Sequence, residues 1–149
     1  MRILDSLGID YQVVSYKVDE NNLDAVSIAK EANLPVEQVF KTIVMISNDN
    51  NLFVFVTPAA YEISLKKARE LTSVKSIDLL KTDLLQKFTG YVRGGCSPLG
   101  MIRKYPVFIE ETAFLNDTIY VSAGLRGFQL KLSPSDLLTA ANASTASFI

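Results

Sequence analysis

Histidine is absent from this chain, and cysteine occurs once, as Cys96. Without an imidazole there is no Ser-His-Asp or Cys-His catalysis and no histidine metal site. A single thiol cannot close an internal disulfide or build a thiolate zinc cage, and it fits a reducing compartment. Long apolar runs are missing too; none approaches the ~20 residues that span a bilayer. The opening MRILDSLGID lacks the apolar segment of a signal peptide. These absences predict a cytoplasmic protein with no membrane association. Formal charge is almost balanced at -1, and the pI is near 5.4. Proteins that hold nucleic acid by neutralising phosphates are usually basic, so any RNA contact here is expected to be local or shared with a partner. Chemistry must rest on lysine, carboxylates, hydroxyls, main-chain amides or the substrate itself. Neither a cofactor nor a metal is expected.

What remains is ample for one domain. A chain of 149 residues, 48% hydrophobic and 21% charged, can bury a core without staples. No repeat, linker or composition break divides it, so a single domain over 1–149 is expected. Residues 1–8 read as a short helix closed by Gly8. Tyr11 to Val18 alternate as a strand. Asp24 is placed to cap a helix that ends at Asn33 and Pro35. Val39 to Ser47 and Leu52 to Thr57 form the clearest hairpin, around Asn48-Asp49-Asn50-Asn51. Ser64 is expected to cap a basic helix over Leu65–Leu71, and Val74 to Ile77 to make a short strand. Thr82 is expected to cap a helix to Phe88. Val107–Glu110, Thr118–Ser122 and Phe128–Leu132 are strands, the last two paired across Gly124–Gly127. Ser133-Pro134-Ser135-Asp136 starts a last helix. The tail from Asn142 is expected to fray. Interspersed strands with hairpin signals give an α+β fold with a mixed, mostly antiparallel sheet and flanking helices.

Lys41 is the most informative residue. It lies inside Val39-Phe40-Lys41-Thr42-Ile43-Val44-Met45-Ile46, which is apolar on both faces and reads as a central strand. Lysine is seldom buried without a partner. Such a lysine is paired, awaits an anionic or electron-rich ligand, or snorkels to water from a strand end. Thr42 should point to the opposite face. Every glycine except Gly8 lies between 90 and 127. Within Gly94-Gly95-Cys96-Ser97-Pro98-Leu99-Gly100, open amides can hold a phosphate or a developing oxyanion. The same residues also suit a plain β-turn. Cys96 has no base to activate it and reads as a small buried thiol. The turn Ser122-Ala123-Gly124-Leu125-Arg126-Gly127 joins two strands. Ser122 is a candidate pocket residue there, and Arg126 a candidate anion contact.

In order and spacing, three segments resemble the YbaK/EbsC family of trans-editing deacylases. They are Val39-Phe40-Lys41-Thr42, Gly90 to Gly100, and Thr118 to Gly127. The resemblance implies the fold shared with editing domains of prolyl-tRNA synthetase, partly barrel-like, with a pocket on its sheet. It implies hydrolysis of aminoacyl-tRNA, foremost cysteinyl-tRNA(Pro), with the cysteinyl thiol attacking its own carbonyl. It makes Lys41 the essential residue. It makes Tyr16, Thr42, Ser122 and Gly124 pocket residues, alongside Gly94, Gly95, Ser97, Pro98, Gly100 and Arg126. The implied partners are tRNA, in particular tRNA(Pro), and prolyl-tRNA synthetase. One departure concerns substrate choice: the family often has an aromatic residue where this chain reads Asn22-Leu23-Asp24-Ala25. An alanyl substrate is therefore the alternative. A non-catalytic amino-acid or nucleotide module on the same fold is the competing class.

Overall fold

The computed structural model describes residues 1–149. The chain runs α1 (Arg2–Ser6), β1 (Gln12–Ser15), α2 (Ala25–Glu31), β2 (Phe40–Ser47), β3 (Leu52–Pro58), α3 (Leu65–Thr72), β4 (Ile77–Leu79), α4 (Thr82–Thr89), β5 (Val107–Glu110), β6 (Ile119–Ser122), β7 (Phe128–Leu132), α5 (Pro134–Ala140) and β8 (Ser144–Ala146). Short 3-10 turns precede β2 and follow β5. The α+β class is as expected. The strands form two sheets, ordered β1-β7-β6 and β4-β2-β3-β5-β8. The hairpins β2-β3 and β6-β7 and the longer-range pairs β1-β7 and β2-β4 are antiparallel, while β5 and β8 join in parallel. The partial barrel reduces to one bridge between the sheets, from Val39 to Tyr120.

Local chemistry explains the helix starts. The Asp24, Ser64 and Ser133 side chains accept from Ser27, Lys67 and Asp136 main-chain N–H groups, satisfying donors that a helix start leaves orphaned. Thr82 does not cap α4; it is the first helical residue, and Lys81 holds the cap position without a side-chain bond. The strand expected at 74–77 begins only at Ile77. Upstream the chain is still closing α3, with Ser73 left-handed at φ 56 and Val74 N–H donating to Arg69 O.

The tail from Asn142 does not fray. Residues Ser144–Ala146 add β8 beside β5, and Phe148 is fully buried against Phe55. Its N–H donates to Glu110 Oε2 at 2.7 Å, and its carbonyl accepts from Ser64 N–H at 2.7 Å. Met45, Phe55, Ala68 and Ile77 complete this core beneath α3. The larger core lies on the other face of the five-stranded sheet. It includes Phe40, Val44, Val54 and Val56 from that sheet and Val121, Leu130 and Leu132 from the smaller one.

Candidate active site

β2 is covered unevenly, and a cleft opens where the cover stops. On one side β3 pairs with it along Phe40–Ile46. On the other, β4 reaches only Met45–Ser47. Val44 O accepts from Leu80 N–H at 2.9 Å, so the even-numbered residues of β2 turn their main-chain groups toward that side. Thr42 is the next such residue, and no strand pairs with it there. Along this edge lies a cleft of about 540 Å³ between the two sheets. Because it wraps around an edge, it takes in both Lys41 and Thr42, although their side chains leave opposite faces of the strand.

Lys41 enters the cleft with 22% of its side chain exposed, and Nζ lies 4.0 Å from Glu62 Oε1. Glu62 itself is 98% exposed, so this ion pair is loose and solvent-screened. Arg93 adds a second cation to the lining, Asp24 a second carboxylate. The Asp24 carboxyl is held below the usual range, chiefly by its hydrogen bond with Ser27. Leu23, Asp24, Ala25, Val26 and Ile28 line one wall, so the segment without an aromatic residue does face the cleft. Thr42 Oγ1 is sealed from water with no hydrogen-bond partner.

The two glycine-bearing turns meet, but mostly behind this cleft. Gly94 and Ser122 line it, as does Cys96. The N–H groups of Gly94 and Cys96 donate to no protein acceptor, whereas Gly95 N–H is taken by Val92 O and Leu99 N–H by Ser97 Oγ. Gly95, Ser97, Pro98, Gly100, Gly124 and Arg126 do not reach the cleft wall. They build the support. A Cβ on Gly95 would stand 3.2 Å from Arg126 N, so the loops touch backbone to backbone. A Cβ on Gly124, at φ +96, would stand 3.0 Å from the Tyr91 ring, so the glycine makes room for it. Arg126 Nε donates to Arg93 O at 2.8 Å, tying one turn to the other where an anion contact was expected. Tyr16 lines a neighbouring hollow of about 280 Å³. Leu23 and Ile28 line both spaces, and the Tyr16 hydroxyl is buried and unpartnered.

Burial pushes the Cys96 thiol up to about 12, which keeps it protonated and disqualifies it as a nucleophile at neutral pH. Three residues were not legible in advance. Tyr91 donates through its hydroxyl to Leu99 O and wedges between the glycine turns. Glu62 guards the lip beside Lys41. Gln129 lines the cleft from β7, opposite Ser122.

Comparison with known proteins gives a consistent result. The aminoacyl-tRNA editing domain family matches residues 19–140. An Enterococcus faecalis protein named "Putative Cys-tRNA(Pro)/Cys-tRNA(Cys) deacylase EbsC" is 34% identical over 98% of this chain and 89% of its own length. Two solved structures share the fold at lower identity. The crystal structure of hypothetical protein APE2540 superposes with a TM-score of 0.88 at 17% identity, covering 99% of this chain and 96% of its own. That of "a putative trans-editing enzyme for prolyl tRNA synthetase" does so at 0.84 and 20%, covering 99% and 92%.

Proposed function

Because the chain belongs to the aminoacyl-tRNA editing domain family, we propose that it is a deacylase that hydrolyses the ester joining a wrong amino acid to tRNA. The observation that carries this reading is the placement of Lys41. Its side chain lines the same cleft as Thr42 at an uncovered strand edge and as Gly94 and Cys96, whose N–H groups are unpaired. An aminoacyl ester is already activated. Holding it still and stabilising charge on its carbonyl oxygen supplies much of the rate. Lys41 and Arg93 suit the terminal phosphate and ribose, and Glu62 and Asp24 suit the α-ammonium of the aminoacyl group. The free amides suit the oxyanion.

Cys96 stays protonated and is no nucleophile, and we assign the attack to the substrate's own thiol or to water. With a cysteinyl ester, the substrate sulfur attacks its own carbonyl and the ester C–O bond breaks. The ribose hydroxyl leaves with the thiol proton, and the resulting thiolactone then takes up water. With other esters, a held water attacks directly.

The tRNA we assign is tRNA(Pro), with prolyl-tRNA synthetase as partner. That partner would lend the basic surface that a chain of formal charge -1 lacks. The decisive test is deacylation of tRNAs charged with different amino acids, with and without the synthetase. Wild type should release the amino acid. Lys41→Ala should lower turnover by about a hundredfold or more while the thermal midpoint holds. Equal rates in the two proteins would remove Lys41 from the reaction. Binding of charged tRNA without release would make the chain a non-catalytic module.

A further inference from the structure

We propose that Gln129 reads the side chain of the bound amino acid, so that the cleft favours esters bearing a hydroxyl or thiol over alanyl esters. This inference rests on the deacylase reading above and adds a specificity determinant to it. Gln129 sits in β7, directly opposite Ser122 of β6 on one side and Val14 of β1 on the other. It is only 4% exposed, yet its Oε1 has no hydrogen-bond partner. A carbonyl oxygen sealed from water without a donor is costly and rare in folded interiors. The amide nitrogen makes no hydrogen bond within the protein either. The Gln129 side chain therefore contributes no hydrogen bond to the fold, and Gln129 lines the same cleft as Lys41.

Two more hydroxyls share that space. Thr42 Oγ1, from β2, is also sealed and unpartnered. Ser122 Oγ accepts from Gly124 N–H at 3.2 Å and keeps its own proton to give. Ser122 and Gln129 are cross-strand partners, and Thr42 joins them among the residues that line the cleft. A methyl group entering the cleft there leaves the Gln129 amide oxygen without a donor. A hydroxyl, both donor and acceptor, can satisfy the amide oxygen while receiving a proton in return. A thiol does so more weakly. Sites built around such groups reject ligands that lack the matching atom.

The test uses the full chain and one tRNA carrying serine, cysteine or alanine. Wild type should cleave the seryl and cysteinyl esters at least about tenfold faster than the alanyl ester. Gln129→Leu should bring the seryl-to-alanyl ratio close to one by slowing seryl cleavage, with a thermal midpoint equal to or above wild type, while the self-attacking cysteinyl ester keeps its own advantage. Gln129→Glu, which keeps an acceptor in place, should keep the preference. If the leucine variant does not fold, Gln129→Met carries the same expectation. Equal wild-type rates for all three esters overturn the proposal. So does a ratio unmoved by the leucine or methionine change. Should Gln129 receive the α-ammonium, common to all three, every rate falls together and the ratio stays, which also overturns it. Cleavage of none of them sinks the deacylase reading as well; cleavage with an unaltered ratio sinks only the role of Gln129.

Discussion

Glu110 and Gln129 are both nearly sealed from water, at 1% and 4% exposure, but their surroundings differ. Glu110, at the end of β5, accepts from Phe148 N–H at 2.7 Å and faces Thr112 N–H at 3.4 Å. Gln129 lies against a cleft and accepts from nothing. The first is a structural joint, fixing the C-terminal strand to the sheet. The second leaves a carbonyl oxygen unpaired in the wall of the cleft. Burial alone does not separate these roles; partner and location together do. Thr57 and Thr112 have unpartnered hydroxyls too, but neither lines the cleft.

The comparison can be broken from the structural side first, where effects on stability should be largest. Phe148→Ala empties a fully buried site against Phe55 and should cost about 3–5 kcal/mol in denaturant unfolding. If the folded fraction then deacylates normally, the joint and the cleft are separable. Glu110→Met leaves Phe148 N–H buried without an acceptor and should cost about 1–3 kcal/mol. A neutral result would mean that this carboxylate is no joint at all. Cys96→Ala sharpens the cleft side and should be the mildest change, with turnover retained at neutral pH. Its signature is in alkali. The folded thiol titrates near 12, against an ordinary value of 9.0. Between those values the unfolded chain sheds a proton that the folded chain keeps, so wild-type stability falls as pH rises. The variant lacks this loss, and the difference in thermal midpoint should shift in its favour above about pH 9. Parallel curves would mean that the thiol is not sealed as described.

Much of the scaffold was legible because its causes are local. The Asp24, Ser64 and Ser133 caps and the hairpin around Asn48–Asn51 depend on residues a few positions apart. β8 was not legible, because its partner Phe108–Glu110 lies more than thirty positions away and its own sequence is small and polar. Lys41 stood out as a cation in an apolar strand, and the structure does bring it into a cleft with Thr42, Gly94 and Ser122. The roles of those residues rest on the assays above. Most of the glycine-loop residues read as ligand contacts lie behind the cleft wall, and Gly95 packs the two turns together, because glycine permits close approach to protein and ligand alike. Gln129 was hidden by alternation. Phe128-Gln129-Leu130-Lys131-Leu132 reads as apolar in and polar out, yet Phe128 is 41% exposed and Gln129 is buried. The reason is tertiary: Gln129 is buried in the wall of the cleft between the two sheets. Its place opposite Ser122 was the available clue.

The bond from Ser64 N–H to Phe148 O has a temporal side. Ser64 follows two residues after Glu62, at the lip beside Lys41. During synthesis, the first hairpin can fold long before Phe148 has left the ribosome. The lip then lacks its brace until the closing strand arrives. A nascent chain halted short of β8 should carry the Lys41 strand without the bond that braces its lip, so substrate binding should await the emergence of Phe148.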